Sequence, residues 1–172
     1  MICILTGFPY GGFEYSEFLG AKLFGLAPWT LPFAFIPLVL GSAYLASEIR
    51  KDAWWIPLST AFLVGTDLVL DPAITNVGYW VWDTPGVYYG VPYTNFLGWI
   101  LSGFIASSIV YGYLRNEIKE GELRSGLVSS LFLNLVFFTA INMYLVQIIP
   151  GVLGLIGIYY VLRTCNDRIA VF

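Results

Sequence analysis

The sequence contains no histidine, only two cysteines and few charges, and each shortage closes off a kind of chemistry. Without histidine there is no imidazole metal site and no Ser/His or Cys/His nucleophile pair, so proton chemistry has to run on Asp, Glu or Tyr. Cys3 and Cys165 stand at opposite ends with no CxxC spacing, and they read as plain thiols rather than a disulfide or metal pair. Charged residues make up 11% of the chain, against about 25% in soluble domains. There is no basic patch to hold nucleic acid, which excludes that class of partner. The leading residues have no basic n-region and are broken early by Pro9 and the Gly11-Gly12 pair, so they do not read as a secretory signal.

What fills the chain instead is apolar: 58% hydrophobic residues, 18% aromatic, and a mean hydropathy of +0.77 over 172 residues. That composition predicts an all-α, polytopic membrane helix bundle forming a single domain over residues 1–172. Residues 1–21 read as a polar-aromatic leading segment. Five spans are expected at about 22–46, 53–71, 95–113, 126–147 and 149–162, most long enough for a hydrocarbon core of roughly 30 Å. Pro28, Pro32 and Pro37 predict a bent first span that is straight only after Pro37. Pro72 should stop the second, because the residue before a proline is pushed out of the α region. An aromatic-rich connection, 72–94, then leads to Asn95, a good N-cap for the third. The charged stretch 115–124 reads as an aqueous loop. Gly151, Gly154 and Gly157, three apart, suit close approach by a neighbouring helix.

Basic residues follow the odd spans: Arg50 and Lys51, then Arg115, Lys119 and Arg124, then Arg163 and Arg168. The connection 72–94 and the turn near Pro150 carry none. The positive-inside rule therefore predicts a multi-pass cell-membrane protein with its aromatic connection away from the cytoplasm.

Two acids stand out. Asp67 and Asp71 are four apart, so a helix puts them on one face about 6 Å apart along its axis. In an apolar, confined site two such carboxyls cannot readily both ionise. One then keeps a proton at neutral pH, which suits an acid that must protonate something weakly basic. The ordinary alternative is that Asp67 pairs with another helix and Asp71 caps or solvates. Tyr79, Trp80, Trp82, Tyr88, Tyr89, Tyr93 and Trp99 crowd beside them, either as a membrane-interface belt or as π-faces able to stabilise a cation. Tyr93 fits the belt and Asp83 a solvated turn. Asn134 and Asn142, eight apart, suit hydrogen bonds between helices or the orientation of water or substrate. Glu14 and Glu17 would reach the acids only if the leading segment folds back.

Together these motifs resemble a known family. The run G-F-P-Y-G-x-F-x-Y-x-x-x-L-G-x-K-L-x-G (7–25), followed by D-x-x-x-D-P (67–72), G-Y-W-x-W (78–82) and Y-x-G-V-P-x-x-N-F-x-G-W (88–99), is similar to the carotenoid hydratases. These are the bisanhydrobacterioruberin hydratases of archaea and related bacterial 1′,2′-hydratases. The likeness covers roughly residues 7–105 in motif and the rest in hydropathy.

It implies a carbon–oxygen lyase that adds water across a terminal isoprenoid C=C bond of a ψ-end carotenoid, with no redox cofactor and no metal. On that reading a protonated Asp67, the deeper acid, gives the proton and Asp71 orients water as base; the two roles are exchangeable. Tyr79, Trp80 and Trp82 flank the tertiary cation, and Asn95 and Trp99 shape the pocket mouth. Tyr88, Tyr89, Asn134 and Asn142 complete the substrate-binding set. Family members carry further helices ahead of the GFPYG-like segment, which implies either a compact version or helices supplied by another chain. Expected partners are the lipophilic substrate, membrane lipids, and either other carotenoid-synthesis membrane subunits or a second copy. Three competing readings remain open: hydration of geranylgeranyl chains in archaeal ether lipids, a transporter or proton channel using the acids as relays, and a non-catalytic membrane subunit.

Overall fold

In the computed structural model, which describes residues 2–165, a short helix α1 (Ile2–Thr6) opens a leading segment that is folded rather than extended. It continues through strand β1 (Phe13–Tyr15), a 3₁₀ turn at Glu17–Leu19, and a hairpin of β2 (Lys22–Leu23) and β3 (Ala27–Pro28). Then come α2 (Leu31–Ser47), α3 (Trp55–Val77), strand β4 (Trp80–Trp82), α4 (Tyr93–Glu120), α5 (Gly126–Tyr144) and α6 (Ile148–Thr164). Five apolar helices thus make the bundle. Three of them, α3, α4 and α5, are long and apolar enough to cross a membrane, and α2 and α6 are shorter at 17 residues each. Arg168 lies outside the described residues.

Helix α3 is the hub, touching α2, α4, α5 and α6. Its buried side includes Leu63, Val69 and Leu70, which pack with Leu38 and Tyr44 of α2 and with Leu131 and Leu135 of α5. Small residues set the close approaches. Gly41 leaves room for Leu131, Gly103 lies on Thr60 and Leu63, and a side chain at Gly154 would run into Thr139. The expected glycine row on α6 is therefore what lets it lie against α5. At the opposite end from the acids, Trp55 is fully buried and donates its indole N–H to the Ala43 carbonyl at 3.1 Å, fixing the turn between α2 and α3.

Four boundaries differ from those predicted by sequence. The first span begins at Leu31, because residues 22–28 pair as a hairpin and Pro32 occupies the first helical turn, where its missing N–H costs nothing. Helix α3 runs through Pro72 to Val77 and ends at the left-handed Gly78. Helix α4 absorbs most of the charged stretch 115–124, because Ile118 is buried in the cluster around Trp55 and Ala46; the left-handed Gly121 stops it. Asn95 is not a cap: Pro92 holds that position and Asn95 lies in the first turn.

The aromatic connection is also partly ordered into sheet. Strand β4 pairs antiparallel with β1 in the register Phe13–Trp82, Glu14–Val81, Tyr15–Trp80. The leading segment does fold back, but strand alternation turns Glu14 outward. Glu17 bonds Lys22 at 2.6 Å.

Candidate active site

Helical spacing puts Asp67 and Asp71 on one face of α3, and that face is fully buried, with 1% and 0% of the two residues exposed. Facing them from α4 is Asn95, whose Nδ2 donates to Asp67 Oδ2 at 3.2 Å and to Asp71 Oδ2. One amide group thus serves both carboxyls. Neither acid is ion-paired among the described residues, and each keeps its Oδ1 without a partner there. Two buried carboxyls sharing a single donor group and no cation tolerate at most one negative charge between them.

The proline that follows Asp71 shapes this region. Pro72 has no N–H, so the Leu68 carbonyl loses its helical donor. The Tyr88 hydroxyl takes that place at 3.0 Å. Asn142 of α5 donates to the neighbouring Val69 carbonyl at 2.7 Å, and Asn76 donates to the Pro72 carbonyl at 2.9 Å. The backbone carrying the acids is therefore held from two other segments, the turn after β4 and α5, and Asn76 adds a bond within α3 itself. Tyr88 and Asn142, expected to contact substrate, serve here as helix clamps. Tyr89 also lies away from the cavity, accepting a hydrogen bond from the Ile149 N–H at 3.3 Å.

Beside the acids is a cavity of about 560 Å³, with Asp71 and Asn95 in its wall and Asp67 one turn behind. Its other walls are aromatic. Tyr15 meets Trp80 edge-on at 5.9 Å, Phe13 meets Trp82 at 5.1 Å, and Trp99 touches both Tyr10 at 6.4 Å and Phe35 at 5.5 Å. Tyr79 lines it as well, and Asn134 and Phe138 of α5 line it deeper in the bundle. Asn134 makes no bond to another helix among the described residues: its Nδ2 donates to the Ser130 carbonyl of its own helix at 2.8 Å. Of the predicted set, Asp71, Tyr79, Trp80, Trp82, Asn95, Trp99 and Asn134 thus share one cavity.

Tyr10, Phe13, Tyr15 and Phe35 join that wall without having been singled out in the sequence. Their signal was present. Phe13-Glu14-Tyr15 alternates as Trp80-Val81-Trp82 does, and Gly7 and Gly11, both at positive φ, bend the chain where the Tyr10 ring packs against Gly98. Tyr10 donates to Ser102 at 2.7 Å. Burial raises the titration of Tyr10 above its ordinary value, and that of Tyr15 further. Tyr88 is pushed up to about 12, mainly by burial. These hydroxyls stay protonated, and those of Tyr10 and Tyr88 act as donors.

The sequence model of a family described as "Carotenoid biosynthesis protein" matches residues 1–161. The bisanhydrobacterioruberin hydratase of Haloarcula japonica is 34% identical over 175 aligned residues, covering 91% of this chain and 56% of that protein. The chain therefore spans about half the length of that curated relative. No solved structure matches.

Proposed function

This chain belongs to the carotenoid biosynthesis protein family, and from that premise we propose that it adds water to a terminal, trisubstituted C=C bond of an isoprenoid chain, a ψ-end carotenoid above all. The observation that carries this reading is the buried Asp67–Asn95–Asp71 group beside an aromatic cavity. Markovnikov hydration needs a proton for the less substituted carbon, surroundings that tolerate a tertiary cation, and a base for the proton of the attacking water. Each has a counterpart in this arrangement.

Asp71 is the acid, since it forms part of the cavity wall while Asp67 is one turn behind. This exchanges the roles first expected from depth alone. Asp71 transfers its proton to the less substituted =CH– carbon, the π bond breaks, and the dimethyl-bearing carbon becomes a tertiary cation. The π-faces of Trp80, Trp82 and Tyr15 stabilise that charge. Water then forms the new C–O bond, and its surplus proton returns to the carboxyl pair, restoring the acid. Alkene and water are consumed and a tertiary alcohol is formed, with no net redox change. Asn95 keeps both carboxyls oriented through the cycle.

The distribution of lysine and arginine supports a multi-pass membrane orientation with the acids at the non-cytoplasmic end. Arg50, Lys51, Lys119, Arg124 and Arg163 flank helix ends remote from Asp71, and Lys22 at the acid end is neutralised by Glu17.

The test is expression in a host that accumulates ψ-end carotenoids, followed by pigment analysis. Wild type should convert the pigment to a product heavier by one water, and Asp71→Asn should insert normally yet give none. Hydrated product from the Asp71→Asn variant, or none from wild type, overturns the assignment. Hydrated ether lipid with unchanged carotenoid would move the reaction to geranylgeranyl chains.

A further inference from the structure

The segment 17–30 that precedes α2, the 3₁₀ turn and the hairpin together, has two faces in different surroundings. On one, Leu19, Ala27 and Pro28 form part of the cavity wall. On the other, Phe18, Phe24 and Trp29 project outward, 86%, 84% and 52% exposed. Trp29 meets Phe33 of α2 edge-on at 5.8 Å, so the apolar surface at Trp29 continues onto the outward side of a bundle helix. The lysine of this segment is paired: Lys22 Nζ lies 2.6 Å from Glu17 and 2.7 Å from the Tyr15 carbonyl.

The tip is also unusual in its backbone. Phe24 has φ +53, a left-handed conformation that a bulky residue rarely adopts, followed by Gly25 at φ +71. The chain holds a strained aromatic at the tip where a glycine would relax it, and strain of that kind persists where it serves a use. Exposed rings on a segment whose one lysine is paired, at the end of an apolar helix, are stable where aromatic side chains concentrate, in the interfacial layer of a bilayer.

We propose that residues 17–30 form a lipid-seated portal. The aromatic tip rests in the interfacial layer at the acid-bearing end of the bundle, and the inner face is the cavity wall past which an isoprenoid chain moves from lipid toward Asp71. The passage of substrate rests on the hydratase reading; the seat in lipid does not.

The full chain carrying Cys3→Ser and Phe24→Cys, with Cys165 left buried, is labelled with a polarity-sensitive thiol fluorophore and reconstituted in phosphatidylcholine vesicles. Glu122→Cys, in the exposed turn between α4 and α5, is the aqueous reference. The label at position 24 should lose fluorescence to spin-labelled lipid and keep it in iodide, and the reference should do the reverse. Quenching by iodide at position 24 overturns the proposal, and so does protection from both quenchers, which would mean that protein covers the tip. In vesicles loaded with a ψ-end carotenoid, the triple variant Phe18→Ser, Phe24→Ser, Trp29→Ser should form hydrated product several-fold more slowly than wild type, with no loss on detergent-dispersed pigment. An equal rate in vesicles overturns the portal. If wild type forms no product at all, the portal falls with the hydratase reading, while the quenching result still decides the seat in lipid.

Discussion

The Tyr88 hydroxyl donates at 3.0 Å to the carbonyl of Leu68, the one carbonyl of α3 that Pro72 deprives of its helical partner. A side chain from the turn after β4 thus repairs the helix between the two acids. The proline leaves a gap, and a residue on the next segment fills it.

Removing that hydroxyl should be costly in a specific way. Tyr88→Phe leaves a buried carbonyl unpaired, worth about 1–3 kcal/mol, and should lower thermal stability in detergent together with hydrated product. In a Pro72→Ala background the restored N–H can serve Leu68 itself, so the same Tyr88→Phe change should cost clearly less. A double-mutant cycle measures the difference; equal costs in both backgrounds would show that the hydroxyl matters for some other reason.

Much of this site was readable from the sequence, for a simple reason. Helical spacing reports itself locally, so Asp67 and Asp71 declare their shared face, whereas the strand that turns Trp80 and Trp82 to one side depends on its distant partner Phe13–Tyr15. What was not readable depended on distant partners. Pro72 breaks an isolated helix, but Tyr88 supplies the missing donor, and nothing near Pro72 says so. Asn95 has the same sequence signature as a cap or as an inward-facing donor; the two carboxyls across from it decide. Asn134 and Asn142 look equivalent eight residues apart, yet one faces the cavity and the other a helix backbone.

That last contrast separates two substitutions. Asn142→Leu strips the Val69 carbonyl of its cross-helix donor and should destabilise by about 1–3 kcal/mol. Asn134→Leu loses only a bond to its own helix, and should unfold at nearly the wild-type temperature while changing which pigments are converted. Thermal unfolding beside pigment analysis distinguishes the pair. A large stability loss in Asn134→Leu would mean that its amide is structural after all.

Asn95→Leu should be the most damaging change outside the acids. It deletes the donor that both carboxyls share, so Asp71 loses its fixed direction toward the cavity. If Asp71 is the general acid, loss of its positioning is expected to lower product formation by about 10²-fold or more. The quantity to compare is product per unit of membrane-inserted protein, which removes any effect of reduced folding. Near-normal turnover in this variant would mean that the acid is held by some other contact.

The aromatic wall makes the last case, because one strand supplies both a test and its control. Trp80 and Trp82 point toward the cavity, and Val81 between them points away and is exposed. If the rings stabilise a tertiary cation, removing one π-face should matter more than removing comparable bulk elsewhere on the strand. A desolvated cation–π contact is worth about 2 kcal/mol, which corresponds to roughly 30-fold in rate. Trp80→Leu should therefore slow hydration by about that factor, and Trp80→Phe, which keeps a weaker π-face, by much less. Val81→Leu should leave the rate unchanged. A cavity that merely needed filling would respond to volume, so Trp80→Leu and Trp80→Phe would then differ little. The ratio between those two variants decides whether the wall stabilises charge or only encloses a chain.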